Sequence, residues 1–154
     1  MGRVNQLLHD DLSDLDMFIT AQLAFVDGAK RRISIANAGH CPLGLASGGT
    51  VRALAPEGLP LGIQPSIVFE TATAELEQDC RVLLFSDGLS EAMNAAGTVF
   101  GLERLFAWLK QVAPGTPAQK MCDELALTLD AHQAQHPLRD DQTFIVLSAE
   151  SKAS

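Results

Sequence analysis

A chain of 154 residues, 47% of them hydrophobic, is long enough for one domain with a full apolar core and too apolar to be disordered. Its net charge of −8 works against nucleic acid and anionic membrane surfaces as partners, but leaves a phosphorylated protein admissible. Cys41, Cys80 and Cys122 are odd in number and form no C-x-x-C pair, no apolar run reaches the roughly 18–20 residues of a membrane span, and no signal pattern opens the chain, so the expected location is cytoplasmic.

Val4, Leu7, Leu8, Leu12 and Leu15 recur at helical spacing and predict an amphipathic helix over 4–15. Asp10, Asp11, Asp14 and Asp16 read as the solvated side of that helix and its exit. From Met17 to Val26 the period falls to two, which predicts a strand, and Asp27-Gly28 turns it into Arg32–Ala36 as a hairpin. Asn37-Ala38-Gly39-His40 breaks that second strand, with Gly39 supplying a positive φ. Ser47-Gly48-Gly49 joins residues 43–45 to 51–54 as a second hairpin. A loop rich in Gly and Pro, 56–65, leads to a strand over 67–74, and an acidic turn precedes the strand Arg81–Phe85.

Ser90-Glu91-Ala92-Met93 looks like a short capped turn. Two helical stripes follow, Leu102, Leu105, Phe106, Leu109 and then Met121, Cys122, Leu125, Leu129, the second stopped by Pro137. A last strand runs from Thr143 to Leu147. Strands in a run, then helices, argue α+β rather than a βαβ alternation: a sandwich or a large sheet covered by helices. A lone helix leading straight into an internal-looking strand suggests a domain entered part-way.

Two acidic turns mark strand ends more than fifty residues apart. Asp87-Gly88 closes the run Arg81–Ser86, and Asp140-Asp141 opens the run Thr143–Leu147. Each alone reads as an ordinary turn or helix cap. If the two strands are neighbours, the acids meet, and carboxylates that converge repel one another unless a cation lies between them. The expectation is a divalent-metal site and a hydrolase using metal-bound water. His132 and His136 have an i, i+4 spacing that can bind zinc, but at a helix end before Pro137 they read as macrodipole partners. Trp108 and the phenylalanines read as helix-face or core groups.

The strings ANAGHCPLGL, EGLPLGI, LLFSDGLSEAMNAAGTVFGLERL and DDQTFIVL stand in an order that resembles the PPM-type metal-dependent protein serine/threonine phosphatases, in their SpoIIE/RsbU-like branch. The resemblance spans about residues 4 to 148. It implies a four-layer α/β/β/α sandwich of antiparallel sheets and hydrolysis of phosphoserine or phosphothreonine with two Mn²⁺ or Mg²⁺ ions. It implies that Asp87 and Asp140 are metal ligands and that Asp141 stands behind them. His40, and with it Asn37, becomes a candidate pocket residue. The family's opening acidic blocks have no counterpart ahead of Asn5. The expectation is therefore a domain over 1–150 lacking its first strands, with 151–154 a tail, half the usual ligand set and weak activity or none.

The implied partner is a phosphorylated protein, such as a STAS-type anti-anti-sigma factor in sigma-factor signalling. A second reading, a degenerate fold that only docks a regulator, remains open. An uncovered sheet edge would also favour a homodimer.

Overall fold

The computed structural model describes residues 1–134, 136–137 and 139–149, so the expected tail lies outside the described residues. The elements in chain order are α1 (Gly2–Asp14), β1 (Ala21–Asp27), β2 (Arg32–Ala38), β3 (Leu43–Ser47), β4 (Thr50–Leu54), β5 (Thr71–Glu75), β6 (Arg81–Phe85), α2 (Asp87–Ser90), α3 (Gly101–Gln111), α4 (Ala118–Gln133) and β7 (Phe144–Ser148). This is a mixed α+β fold with antiparallel sheets, as the element order predicts. The chain divides into two compact units, one of Met1–Cys41 with Leu54–Glu75, the other of Pro42–Ala53 with Leu76 onward.

In the first unit β1, β2 and β5 form an antiparallel sheet in that order. The β1–β2 turn is tied by the Lys30 N–H, which donates to Asp27 Oδ1 at 3.0 Å. Ile33 and Ile35 of β2 are buried, while Ser34 on the other face meets Thr73 of β5 hydroxyl to hydroxyl at 3.2 Å. Helix α1 seats Leu12 against Ala38 and Leu61. Its Asn5 is fully buried, and the amide donates to Gln64 O at 2.8 Å while accepting from the Gly62 N–H at 3.0 Å. The acids at 10, 11, 14 and 16 are exposed, as expected of a solvated face.

Two strands of this unit start later than their pattern predicts. β1 begins at Ala21, not Met17, because the extended chain first pairs elsewhere: Ile19 and Leu61 exchange backbone hydrogen bonds of 3.0 and 2.8 Å. β5 begins at Thr71, not Ile67. Phe69 packs on the Leu12 cluster from a loop, and Val68 stands 92% exposed, so the alternation there was hydrophobic without being paired.

The second unit holds the sheet β4-β3-β6-β7. β3 is buried along its whole length, and α3 lies close over its Gly44, where a Cβ would stand 3.0 Å from both Leu109 and Phe106. Leu105 and Leu109 of α3 and Met121, Leu125 and Leu129 of α4 are buried, as their stripes predict. Leu102 is half out of the core and Cys122 is only partly buried. Helix α4 ends at Gln133, where Ala134 takes a left-handed φ of 46°, before Pro137 is reached. The short helical turn falls at 87–90 rather than 90–93, so Asp87 is its first residue instead of the turn before it.

No helix among the described residues is long and apolar enough to cross a membrane.

Candidate functional site

β6 and β7 are antiparallel neighbours, with Phe85 opposite Phe144, so the end of one strand meets the start of the other. The pairing runs on past both strand ends. The Ser86 N–H donates to Thr143 O at 2.9 Å, and the Thr143 N–H donates back to Ser86 Oγ at 3.1 Å. The Ser86 hydroxyl donates in turn to Asp141 O at 3.1 Å, and Gln142 Nε2 donates to Gly88 O at 3.2 Å. Ser86 occupies the N-cap of α2 but makes no cap bond with its side chain, because the hydroxyl is held across the strands. Gly88 lets the two backbones approach, since a Cβ there would stand 2.3 Å from Asp141 O.

These contacts bring Asp87 and the Asp140-Asp141 pair to one end of the sheet. All three acids are exposed. Asp87 Oδ1 accepts from the Gly88 N–H at 3.1 Å, and Asp140 Oδ1 accepts from the Asp141 N–H at 2.7 Å. Each bond orients its carboxylate and leaves the second oxygen without a protein donor among the described residues. A hard divalent cation takes oxygen ligands and keeps several waters, so carboxylate oxygens of this kind are the donor chemistry that Mg²⁺ or Mn²⁺ would require. They fall short of a pair of ions: among the described residues no group of three or more His, Cys, Asp or Glu side chains is arranged to hold a metal.

A cavity of about 380 Å³ opens beside Asp140, with Gly88, Glu91, Met93, Gln133, Arg139 and Asp140 itself in its wall. Arg139 and Gln142 were not singled out from the sequence, and Ser86 and Gly88 were read only as the flanks of Asp87. The signal for them was their position flanking the acidic turns, which only a strand pairing converts into proximity.

Asn37 and His40 belong to the first unit and form a tight corner there. The Asn37 amide donates to His40 O at 2.9 Å and accepts from the His40 N–H at 2.8 Å, so both of its polar atoms are engaged in holding the loop. Gly39 has φ +67° and a Cβ there would lie 2.7 Å from Pro60 Cγ, which is why the corner needs glycine. The His40 ring is half-buried, with Nδ1 3.3 Å from Thr20 Oγ1. His132 is occupied otherwise than by zinc: Nε2 lies 3.0 Å from Thr98 O and the ring stands edge-on to Phe100 at 5.2 Å.

The family model described as Stage II sporulation protein E (SpoIIE) matches residues 1–150. The chain belongs to the SpoIIE family. These are PP2C-type serine/threonine phosphatase domains. Among curated relatives, SpoIIE-family similarity extends to the phosphoserine phosphatase RsbP of Bacillus subtilis, 28% identical over 131 residues, which is 84% of this chain and 30% of RsbP. Among solved structures, the SiaA-PP2C domain of Pseudomonas aeruginosa superposes with a TM-score of 0.80 at 27% identity, over 96% of this chain and 58% of that one. The Mn-presoaked phosphatase domain of the cell fate determinant SpoIIE from Bacillus subtilis gives a TM-score of 0.67 at 16% identity, over 88% of this chain and 58% of that one, a likeness of fold. The chain thus spans less than two thirds of each.

Proposed function

We propose that this SpoIIE-family chain works as a metal-dependent phosphoprotein phosphatase module on phosphoserine or phosphothreonine. The observation that supports the reading is the continuation of the β6–β7 pairing through Ser86, Gly88 and Gln142, which brings the turns that carry Asp87 and Asp140 to the same end of the sheet. In this reading Asp87 and Asp140 hold Mn²⁺ or Mg²⁺, and Asp141 fixes the turn that presents Asp140. A cation bound there lowers the pKa of a water and neutralises phosphoryl charge. The protein's own part is to aim two carboxylates, hold the turns rigid and offer a walled cavity for the substrate. No nucleophilic side chain is needed. His40 and Asn37 stay candidate pocket residues: the Asn37 amide holds the loop that carries His40.

The proposed partner is a phosphorylated regulatory protein of the STAS, anti-anti-sigma type, which would place the chain in cytoplasmic sigma-factor signalling. RsbP, by name a phosphoserine phosphatase, supports the substrate class. The donor count favours a low rate: this chain is expected to release phosphate from a phosphoserine peptide slowly, and only with Mn²⁺ or Mg²⁺ present. Fast release, or release that chelation leaves unchanged, would contradict the reading. The rival, a module that only docks a regulator, requires no metal effect on stability together with tight binding of the regulator.

A further inference from the structure

Among the described residues, the wall of the cavity beside Asp140 carries a single basic side chain, Arg139, with two acids, Glu91 and Asp140. Arg139 is exposed and takes part in none of the ion pairs among the described residues, although Asp140 is its chain neighbour. On the same wall Gln142 is fixed by its bond to Gly88 O, and Gln133, at the end of α4, is buried. The chain as a whole is acidic, at −8, so its field repels an incoming anion. An anion therefore enters this cavity only against local positive charge. A guanidinium supplies that charge as a planar fork that matches phosphoryl oxygens two at a time. The volume of about 380 Å³ is at the lower end of the range for small-ligand sites, enough for a phosphorylated side chain.

We propose that Arg139 is the substrate-positioning residue of this cavity, and that its guanidinium grips the phosphoryl group of a phosphoserine or phosphothreonine side chain. This rests on the phosphatase reading, because the phosphoryl group is then shared between Arg139 and a cation at Asp87 and Asp140. A cation held by Asp87 and Asp140 would supply a second point of attachment, so that Arg139 would fix the orientation of the group and its loss would free the group to turn.

The test is a calorimetric titration of the 154-residue chain, in saturating Mg²⁺, with inorganic phosphate and with a short phosphoserine peptide. Arg139→Gln is expected to weaken both by about tenfold or more, with Arg139→Lys recovering part of the loss. Arg52→Gln, an exposed arginine on β4, is expected to change neither. The Mg²⁺-induced rise in Tm is expected to be the same in wild type and Arg139→Gln, which a merely structural role would not give. The inference is overturned if Arg139→Gln binds phosphate within about twofold of wild type, if wild type binds none, or if the peptide fails to displace phosphate. Failure of the phosphatase reading has a different signature, a wild-type Tm that Mg²⁺ does not move.

Discussion

A Cβ at residue 88 would stand 2.3 Å from the carbonyl oxygen of Asp141, and because that neighbour is backbone, no rotamer change relieves the clash. Gly88→Ala must push the 140–142 segment away from β6 and break the Gln142–Gly88 bond. We expect it to cost about 2–4 kcal/mol in urea unfolding and to weaken Mn²⁺ binding although no carboxylate is touched. Unchanged stability and metal affinity would contradict the geometry. Asp79 offers a pH-dependent counterpart away from the site. Its carboxylate is held below the usual value of 3.8, first by the Gly48 N–H, then by the Ser47 hydroxyl, with Arg81 adding a smaller share. A lowered native pKa stabilises the fold above 3.8, and the stabilisation is lost as pH falls through that value toward the native pKa. Asp79→Asn should therefore flatten the fall of Tm at acid pH; parallel Tm profiles for the two proteins would refute this. At this scale the meeting of the two acidic turns was legible, because a carboxylate at a strand end is a visible type and β6 does pair with β7. Ser86 and Arg139 were not, because a serine hydroxyl bridging two turns and an arginine on a cavity wall look like any surface residue until the strands are paired.

The elements show where periodicity is sufficient and where it misleads. Helices α3 and α4 were readable because Leu105, Leu109, Met121, Leu125 and Leu129 all go into one core. The starts of β1 and β5 were not, since alternation records a buried face and says nothing about the partner: Ile19 pairs with Leu61 before β1 finds β2, and Phe69 is buried from a loop. Helix α4 stops before its proline because Ala134 adopts a left-handed turn that no residue type announced. β1 also carries a consequence of its own. It is an edge of its sheet and exposes Leu23 (57%) and Phe25 (67%). Two copies paired antiparallel about Ala24 would set Leu23 opposite Phe25 twice and Asp27 opposite Ala21, so no like charges face each other. We expect a dimer in light scattering at high protein concentration, shifted to monomer by Phe25→Lys. A monomeric mass throughout would exclude pairing at this edge.

At the scale of the molecule, the fold class and family were legible because the blocks carrying them lie in order along almost the whole chain, and a match over residues 1–150 bears this out. The described residues carry two exposed carboxylates, Asp87 and Asp140, on turns at one sheet end, and a cation shared by them is the proposal on which the activity depends. A specific ion that binds only the native state raises Tm by mass action, so the claim has a direct thermal readout. The decisive measurement is the Tm of wild type, Asp87→Asn, Asp140→Asn and the double variant across a Mn²⁺ titration. If the two carboxylates share one ion, wild type rises with Mn²⁺, each single variant loses most of that rise, and the double variant loses little more than either single one. A full Mn²⁺-dependent rise in either single variant, or none in wild type, would contradict it.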